Sequence, residues 1–137
     1  MSSVSFHKQG LATELKLHDK VAEDRYHATQ MCGTRRYMAR EVFFGEPYGL
    51  PADVYSFALV LWETTTLEIP YQGMTLDGLI WYTYKLKRRP KVRMKWPKDL
   101  KRWIKRGWCH KPESRMKMES ICSEMRQYLT RKDIQIV

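Results

Sequence analysis

Cysteine is scarce in this sequence of 137 residues, which holds only Cys32, Cys109 and Cys122. No two of them form a CxxC pair, and His110 beside Cys109 does not complete a four-ligand zinc site at a recognised spacing. Met1–Gly10 lacks the apolar core of a secretory signal. The sequence therefore argues against a disulfide-built secreted module and predicts reduced thiols in the cytoplasm or nucleus.

Long apolar runs are also missing. The longest, Val54–Trp62, is interrupted by Ser56 and falls short of the roughly 18 apolar residues that a membrane-spanning helix needs. We therefore expect no membrane span. The composition, 43% hydrophobic with five Trp and eight Tyr, is rich enough to build one packed domain and argues against wholesale disorder.

Acidic residues are rare in one part of the chain, and the excess of Lys and Arg there makes the net charge of the protein positive. Residues 85–117 hold 15 Lys and Arg against Asp99 and Glu113 alone, while the full chain has a net charge of +10. Such a stretch is typical of a solvated basic helix surface, and it can also attract nucleic acid, acidic lipid or acidic peptides. No nucleic-acid recognition motif accompanies it.

The spacing of apolar residues predicts a mainly α-helical fold. A central helix within Pro51–Pro70 is apolar on nearly every side and should be buried. Three amphipathic helices follow, opening at Thr75, at Trp96-Pro97 and near Pro112. On the last of these, Cys122 shares the apolar face, which predicts that it packs in the core.

Four short motifs occur in a fixed order along the chain. They are Gly33–Glu41 (GTRRYMARE), Asp53–Ala58 (DVYSFA), Pro70-Tyr71, and Gly107–Arg115, where Gly-Trp is followed by Lys-Pro and Arg. They are similar to the GT-x-x-YMAPE, D-V-Y/W-S-F-G, P-Y/F and C-W-x-x-D-P-x-x-R-P motifs of protein kinases. Over residues 4–129 the chain resembles a helical C-terminal lobe (C-lobe) fragment of the protein kinase superfamily, closest to tyrosine-kinase-like Ser/Thr kinases.

The resemblance implies structural roles for four residues. Glu41 matches the Glu of the APE motif, which in kinases forms a largely buried ion pair with the Arg that matches Arg115. Asp53 matches an Asp that receives hydrogen bonds from the catalytic-loop backbone, although here it can equally serve as the acid at a helix N-terminus. We expect Trp108 to pack in the core.

The resemblance also divides the chain into three parts. Residues 1–32 match a degenerate DFG-like start and an activation-loop-like segment, 33–129 match the C-lobe, and 130–137 form a short tail. We expect a long irregular front, with an exposed loop over Leu15–Gln30 and at most a turn of helix around Arg40–Phe44.

The end of the activation segment is the expected substrate loop. The residues assigned to it are Thr29, Thr34, Arg35, Arg36, Tyr37, Met38 and Ala39. Of these, Thr29 and Thr34 are candidate phosphorylation sites. Arg25, Arg35 and Arg36 are placed to pair with a phosphate on Thr29.

The residues that handle ATP in the kinase family are not found in this sequence. It has no Gly-rich G-x-G-x-x-G loop, no V-A-I-K strand and no HRD catalytic loop before the DFG position. His18-Asp19-Lys20 looks like an HRD loop but follows that position, so we interpret it as loop. Lys8 stands where the DFG Asp would bind Mg²⁺, and an ammonium group cannot ligate a cation. We therefore predict no catalytic, cofactor-binding or metal residue, although the intact family uses ATP and Mg²⁺.

Three functions stay open at this point. The first is a kinase-domain fragment whose family transfers phosphate to protein Ser or Thr, with the N-terminal lobe absent and this chain inactive alone. The second is a pseudokinase-type interaction module that binds a protein partner through its basic helices. The third is a nucleic-acid binder that uses the stretch Lys85–Lys117. An uncovered side of the central helix would favour association with another chain or the missing lobe.

Overall fold

The computed structural model describes residues 20–22, 25–26 and 34–132. The strands and helices in these ranges are β1 (Lys20–Ala22), β2 (Arg25–Tyr26), α1 (Arg40–Phe43), α2 (Pro51–Thr66), α3 (Leu76–Ile80), α4 (Lys98–Gly107) and α5 (Met118–Arg131). Short 3₁₀ turns cover Arg35–Tyr37 and Pro112–Ser114, and α3 continues into a π-helical turn over Trp81–Lys85. The prediction of a mainly α-helical fold is confirmed.

Helix α2 runs through the middle of the described structure. It begins with Pro51 at its first position, and it ends where Leu67 adopts a left-handed conformation at φ 59°. Tyr55 and Leu59 are almost completely buried on this helix. The prediction of burial on every side is too strong, because Val60 is 50% exposed on the outward side.

Helix α4 packs directly against α2. Trp103 and Ile104 point inward from it, and both are at least 95% buried. The closest approach is at Gly107, where an added Cβ atom would stand 2.7 Å from the Cβ of Ala58. Only a residue without a side chain allows the two helices to lie this close.

Helix α3 begins at the predicted cap. The hydroxyl oxygen of Thr75 accepts a hydrogen bond from the backbone N–H of Gly78 at 3.2 Å, which satisfies one of the free donors of the first turn. The π-helical continuation carries Thr83 and Tyr84 into the core. On the outer side of this π-helical turn, Trp81 is 61% exposed.

Two predictions about the last helix are wrong. Pro112 opens only a 3₁₀ turn, and α5 starts at Met118 because Arg115 adopts an extended conformation that carries its side chain into the core. Cys122 is exposed, since Ile121 is the residue of α5 that enters the core completely. Cys122 lies at the edge of the apolar face rather than at its centre.

The expected exposed loop over Leu15–Gln30 contains a small ribbon where the structure describes it. β1 and β2 pair antiparallel, and Tyr26 forms two backbone hydrogen bonds with Tyr48, at 2.9 and 3.1 Å. Strands of two or three residues are too short to show an apolar alternation in the sequence. Among the described residues, no helix is both long and apolar enough to cross a membrane.

Candidate functional site

The segment Thr34–Ala39 lies across the start of α2 and is held by hydrogen bonds to its backbone. The Ser56 hydroxyl donates to the Tyr37 carbonyl at 2.8 Å, and the Tyr84 hydroxyl donates to the Met38 carbonyl at 3.0 Å. Burial raises the pKa of Tyr84, which keeps this hydroxyl a donor. Met38 and Ala39 are buried at 5% and 1% exposure.

The side chains of the same segment divide between the protein and solvent. Thr34 and Arg35 are exposed. Arg36 is half-buried and donates from Nη1 to the Pro70 carbonyl at 3.2 Å. The segment therefore has a fixed backbone and an exposed outer surface.

Tyr37 ties the segment to the last turn of α2. Its hydroxyl donates to Oε2 of Glu63 at 2.6 Å. Burial, reinforced by the hydrogen bond and the charge of Glu63, raises the pKa of Tyr37 to about 12, and Arg36 opposes this. The hydroxyl thus stays protonated in the folded protein well above the pH at which a free tyrosine ionises.

We expect Tyr37→Phe to lower the free energy of unfolding by about 1 kcal/mol at pH 8, because one hydrogen bond is lost. Tyr37 keeps its proton more firmly when folded, so its contribution is complete below pH 10 and is lost as the pH rises towards 12. Urea unfolding of both proteins at pH 8 and pH 11 measures this. The matched control is Tyr82→Phe, whose hydroxyl makes no hydrogen bond within the described residues. An equal difference between wild type and Tyr37→Phe at both pH values would contradict the assignment.

Glu41 and Arg115 form a buried ion pair at the end of the segment. Nη1 of Arg115 lies 2.5 Å from Oε1 of Glu41, and Nη2 lies 3.1 Å from Oε2. The two side chains are 6% and 1% exposed. Two parallel hydrogen bonds between a guanidinium and a carboxylate give the strongest geometry available to such a pair. The structure brings together the two residues that the motifs predicted to meet.

Arg115 uses its remaining donors on backbone carbonyls. It donates to Pro51 at 2.7 Å, to Cys109 at 2.9 Å and to His110 at 3.4 Å. Its guanidinium also lies 5.1 Å from the centre of the Tyr55 ring. One side chain thereby joins the segment before α2, the start of α2 and the loop before α5.

A second, half-buried guanidinium on the Tyr55 ring was not predicted from the sequence. Arg89 lies 5.1 Å from the centre of that ring and donates to the carbonyls of Trp108 at 3.0 Å and Thr83 at 2.9 Å. In the sequence, Arg89 is one of many cations in a basic run. Composition alone does not separate an inward-pointing Arg from its solvated neighbours.

Asp53 and Trp108 occupy different surroundings. Asp53 stands in the first turn of α2, on the wall of a cavity of 790 Å³ that Glu41 and Arg115 also line. Partial burial raises the pKa of its carboxyl group. Trp108 is 5% exposed and packs in the core cluster with Tyr55.

Two of the predicted site residues, Lys8 and Thr29, lie outside the described ranges. Within those ranges, no three His, Cys, Asp or Glu side chains come together as metal ligands. Glu113, one of the carboxylates on the cavity wall, instead faces Arg25 at 3.6 Å.

Comparison with known proteins finds protein kinases as the relatives of this chain. Residues 6–125 match the family model described as protein tyrosine and serine/threonine kinase. The chain is 36% identical over 96 residues to the serine/threonine/tyrosine-protein kinase HT1 of Arabidopsis thaliana, a match over 70% of this chain and 25% of that protein.

Two further relatives come from distant organisms. A probable serine/threonine-protein kinase, drkC of Dictyostelium discoideum, is 35% identical over 85% of this chain and 15% of its own length. Mitogen-activated protein kinase kinase kinase 12 of Rattus norvegicus is 31% identical over 74% of this chain and 12% of its own length. The chain thus spans a quarter or less of these three proteins. The resemblance predicted from the four motifs is confirmed.

Proposed function

Because this chain belongs to the protein tyrosine and serine/threonine kinase family, we propose that it forms the substrate-facing helical part of a Ser/Thr kinase domain. The reaction of such a domain is transfer of the γ-phosphoryl group of ATP to a protein hydroxyl, which depends on positioning and charge stabilisation. In this proposal the chain holds the substrate loop in place and does not transfer phosphate by itself.

The main support is the anchoring of Thr34–Ala39. Its backbone is fixed by Ser56 and Tyr84, and its C-terminal end continues into Glu41, which is buried against Arg115. Thr34 and Arg35 remain exposed above this base. A rigid backbone with accessible side chains suits the positioning of a peptide, because little order has to be gained on binding.

The proposed lack of catalysis has a separate basis. The sequence contains neither a Gly-rich loop nor a V-A-I-K strand, and Lys8 stands at the DFG Asp position. In the family these groups hold the phosphates and the metal ion. Lys8 would repel Mg²⁺, so we propose that a longer chain carrying the same Lys8 would also lack this metal ligand.

Thermal unfolding of the 137-residue chain with and without Mg-ATP tests this part of the proposal. We expect no shift specific to ATP, whereas a ligand at 100 times its dissociation constant adds about 2.7 kcal/mol to stability. Mg-tripolyphosphate is the matched control, because the basic surface attracts any polyanion. A saturable stabilisation by Mg-ATP beyond that of tripolyphosphate, or phosphate transfer to a protein substrate, would contradict the proposal.

A second candidate function is a protein-interaction module of the pseudokinase type. The observation that favours it is the exposed basic side of α4, where Lys98, Lys105 and Arg106 point away from the core. This function requires no ATP. It therefore remains available whether or not the chain takes part in phosphate transfer.

A further inference from the structure

Helix α4 separates its charges from its apolar residues almost completely. Leu100, Trp103, Ile104 and Gly107 face the interior, and five cations share the opposite side: Lys98, Lys101, Arg102, Lys105 and Arg106. At 100° per residue these five fall within an arc of about 140°. The outer side of α4 is therefore a continuous row of positive charge.

Within the described part of the chain, one of the five cations, Arg102, is neutralised by ion pairs. Arg102 lies 2.9 Å from Asp99 and 2.8 Å from Glu124. Hydrogen bonds from Arg102 and Trp103 lower the pKa of Glu124, and the more distant charge of Arg106 adds to this. Among the residues that the structure describes, no carboxylate lies within 4 Å of the other four. Four positive charges thus have no ion-pair partner among the described residues.

The loop before α4 extends this row at the N-terminal end of the helix. Nζ of Lys101 donates to the carbonyl of Met94 at 2.9 Å, which holds the loop against the helix. Lys95 is exposed beside it, and Met94 itself is 86% exposed. We call the surface made by Lys95, Lys98, Lys101, Lys105 and Arg106 the α4 basic face, with Met94 as its apolar end.

We propose that the α4 basic face is a docking surface for an acidic peptide segment of another protein, with an apolar residue of that segment seated on Met94. The distance from Lys98 to Arg106 along the helix is about 12 Å, from a rise of about 1.5 Å per residue. An extended peptide advances about 3.3 Å per residue, so about four acidic residues cover the row. One or two more reach Met94.

The chemistry of the face favours a peptide over a nucleic acid. Single-stranded nucleic acids are held by aromatic rings on which their bases stack. Of the aromatic rings at α4, those of Trp103 and Trp108 are each only 5% exposed, and that of Trp96 just before the helix is half-buried against the core. The charge of the face comes mainly from four lysines in a short row, whose compact ammonium groups do not stack on bases, and a single planar guanidinium, that of Arg106, accompanies them.

The surplus of charge gives binding a clear dependence on salt. Each exposed ion pair contributes little alone, so affinity must come from several pairs acting together with the contact at Met94. Exposed pairs are screened at high ionic strength. The docking rests on the second candidate function, the protein-interaction module, and names its ligand. It does not require phosphate transfer, so its failure would leave the proposed kinase role untouched.

Fluorescence anisotropy with a labelled peptide of one leucine followed by six alternating Glu and Asp residues tests the docking at 50 mM and 200 mM NaCl. We expect saturable binding that weakens at least threefold at the higher salt. Lys98→Glu combined with Lys105→Glu should weaken it at least tenfold. The matched control, Lys85→Glu combined with Lys132→Glu, changes the net charge equally at exposed positions off α4 and should change binding less than threefold.

The contact at Met94 has its own readout. Met94→Ala should weaken binding of the leucine-containing peptide about threefold and leave a peptide without the leucine unaffected. Circular dichroism and thermal unfolding check that each variant keeps the wild-type fold. No binding at 50 mM NaCl, or an equal loss in both double variants, would overturn the docking surface. A six-nucleotide oligodeoxythymidine provides the last comparison. If it binds more tightly than the acidic peptide, and if Lys98→Glu combined with Lys105→Glu abolishes its binding, the ligand of the face is a phosphate polymer and the peptide docking surface is overturned.

Discussion

Replacing Arg115 with alanine should lower the free energy of unfolding by about 3–5 kcal/mol. The substitution leaves the carboxylate of Glu41 buried without the guanidinium that neutralises it. It also removes the donors that reach the carbonyls of Pro51 and Cys109. Domains of this size are stable by about 5–15 kcal/mol, so a large share of the total would be lost. Urea unfolding followed by tryptophan fluorescence measures the change.

A surface ion pair with a single close N–O contact provides the control for Arg115→Ala. Arg93 and Glu68 lie 2.8 Å apart, but both side chains are 57% exposed. We expect Arg93→Ala to cost less than about 1 kcal/mol, because water solvates the carboxylate that remains. Similar costs for the two variants would show that burial does not set the strength of the Glu41–Arg115 pair.

A double variant guards against the case in which Arg115→Ala does not fold. When Glu41→Ala is combined with Arg115→Ala, no buried charge is left alone, so the double variant should lose less than the sum of the two single losses. Glu41→Gln is the mildest change, because it keeps the shape of the side chain and removes only its charge. Strict additivity would mean that the two side chains do not act as a pair.

Replacing Gly107 with alanine should destabilise the protein by about 1–3 kcal/mol, the usual cost of forcing an extra methyl group into a packed core. The added Cβ would stand 2.7 Å from the Cβ of Ala58 and 3.4 Å from the carbonyl oxygen of Val54. Both neighbouring atoms belong to α2, so relief requires the two helices to move apart. Thermal and urea unfolding measure the cost.

A compensating substitution makes this prediction specific. Ala58→Gly removes the methyl group that Gly107→Ala would strike, so the double variant should be more stable than the sum of the single effects allows. Gly78→Ala is the control, since its Cβ would meet only the Thr75 hydroxyl at 3.2 Å. That variant should keep or slightly raise stability, because alanine favours a helix over glycine. A fully additive double variant would rule out the helix contact as the cause.

The sequence predicted the parts of the fold that local pattern controls. The Pro51 start of α2, the Thr75 cap of α3 and the inward Trp103 of α4 all follow from residue type and spacing within one helix. The contact between Glu41 and Arg115 came from the order of matched motifs, because no periodicity connects residues 74 positions apart.

The structural features that were not predicted, or were predicted wrongly, depend on tertiary packing. Arg89 belongs to the most basic stretch of the chain, yet its guanidinium turns inward onto Tyr55 because backbone carbonyls are available there. Cys122 lies at the edge of an apolar face, where the position of the neighbouring helix decides whether it is buried. The late start of α5 follows from the need of Arg115 to reach Glu41. None of these is encoded in a short window of sequence.

The 74-residue separation of Glu41 and Arg115 sets the order in which the molecule can be completed during translation. A ribosome makes the segment Thr34–Ala39 before α1 to α4 and adds Arg115 only after these helices have been synthesised. Until then Glu41 has no partner, and closing so long a loop costs entropy that other contacts must first offset. The segment Thr34–Ala39 therefore becomes fixed only after all of the helices up to α4 have been made, although it precedes them in the chain.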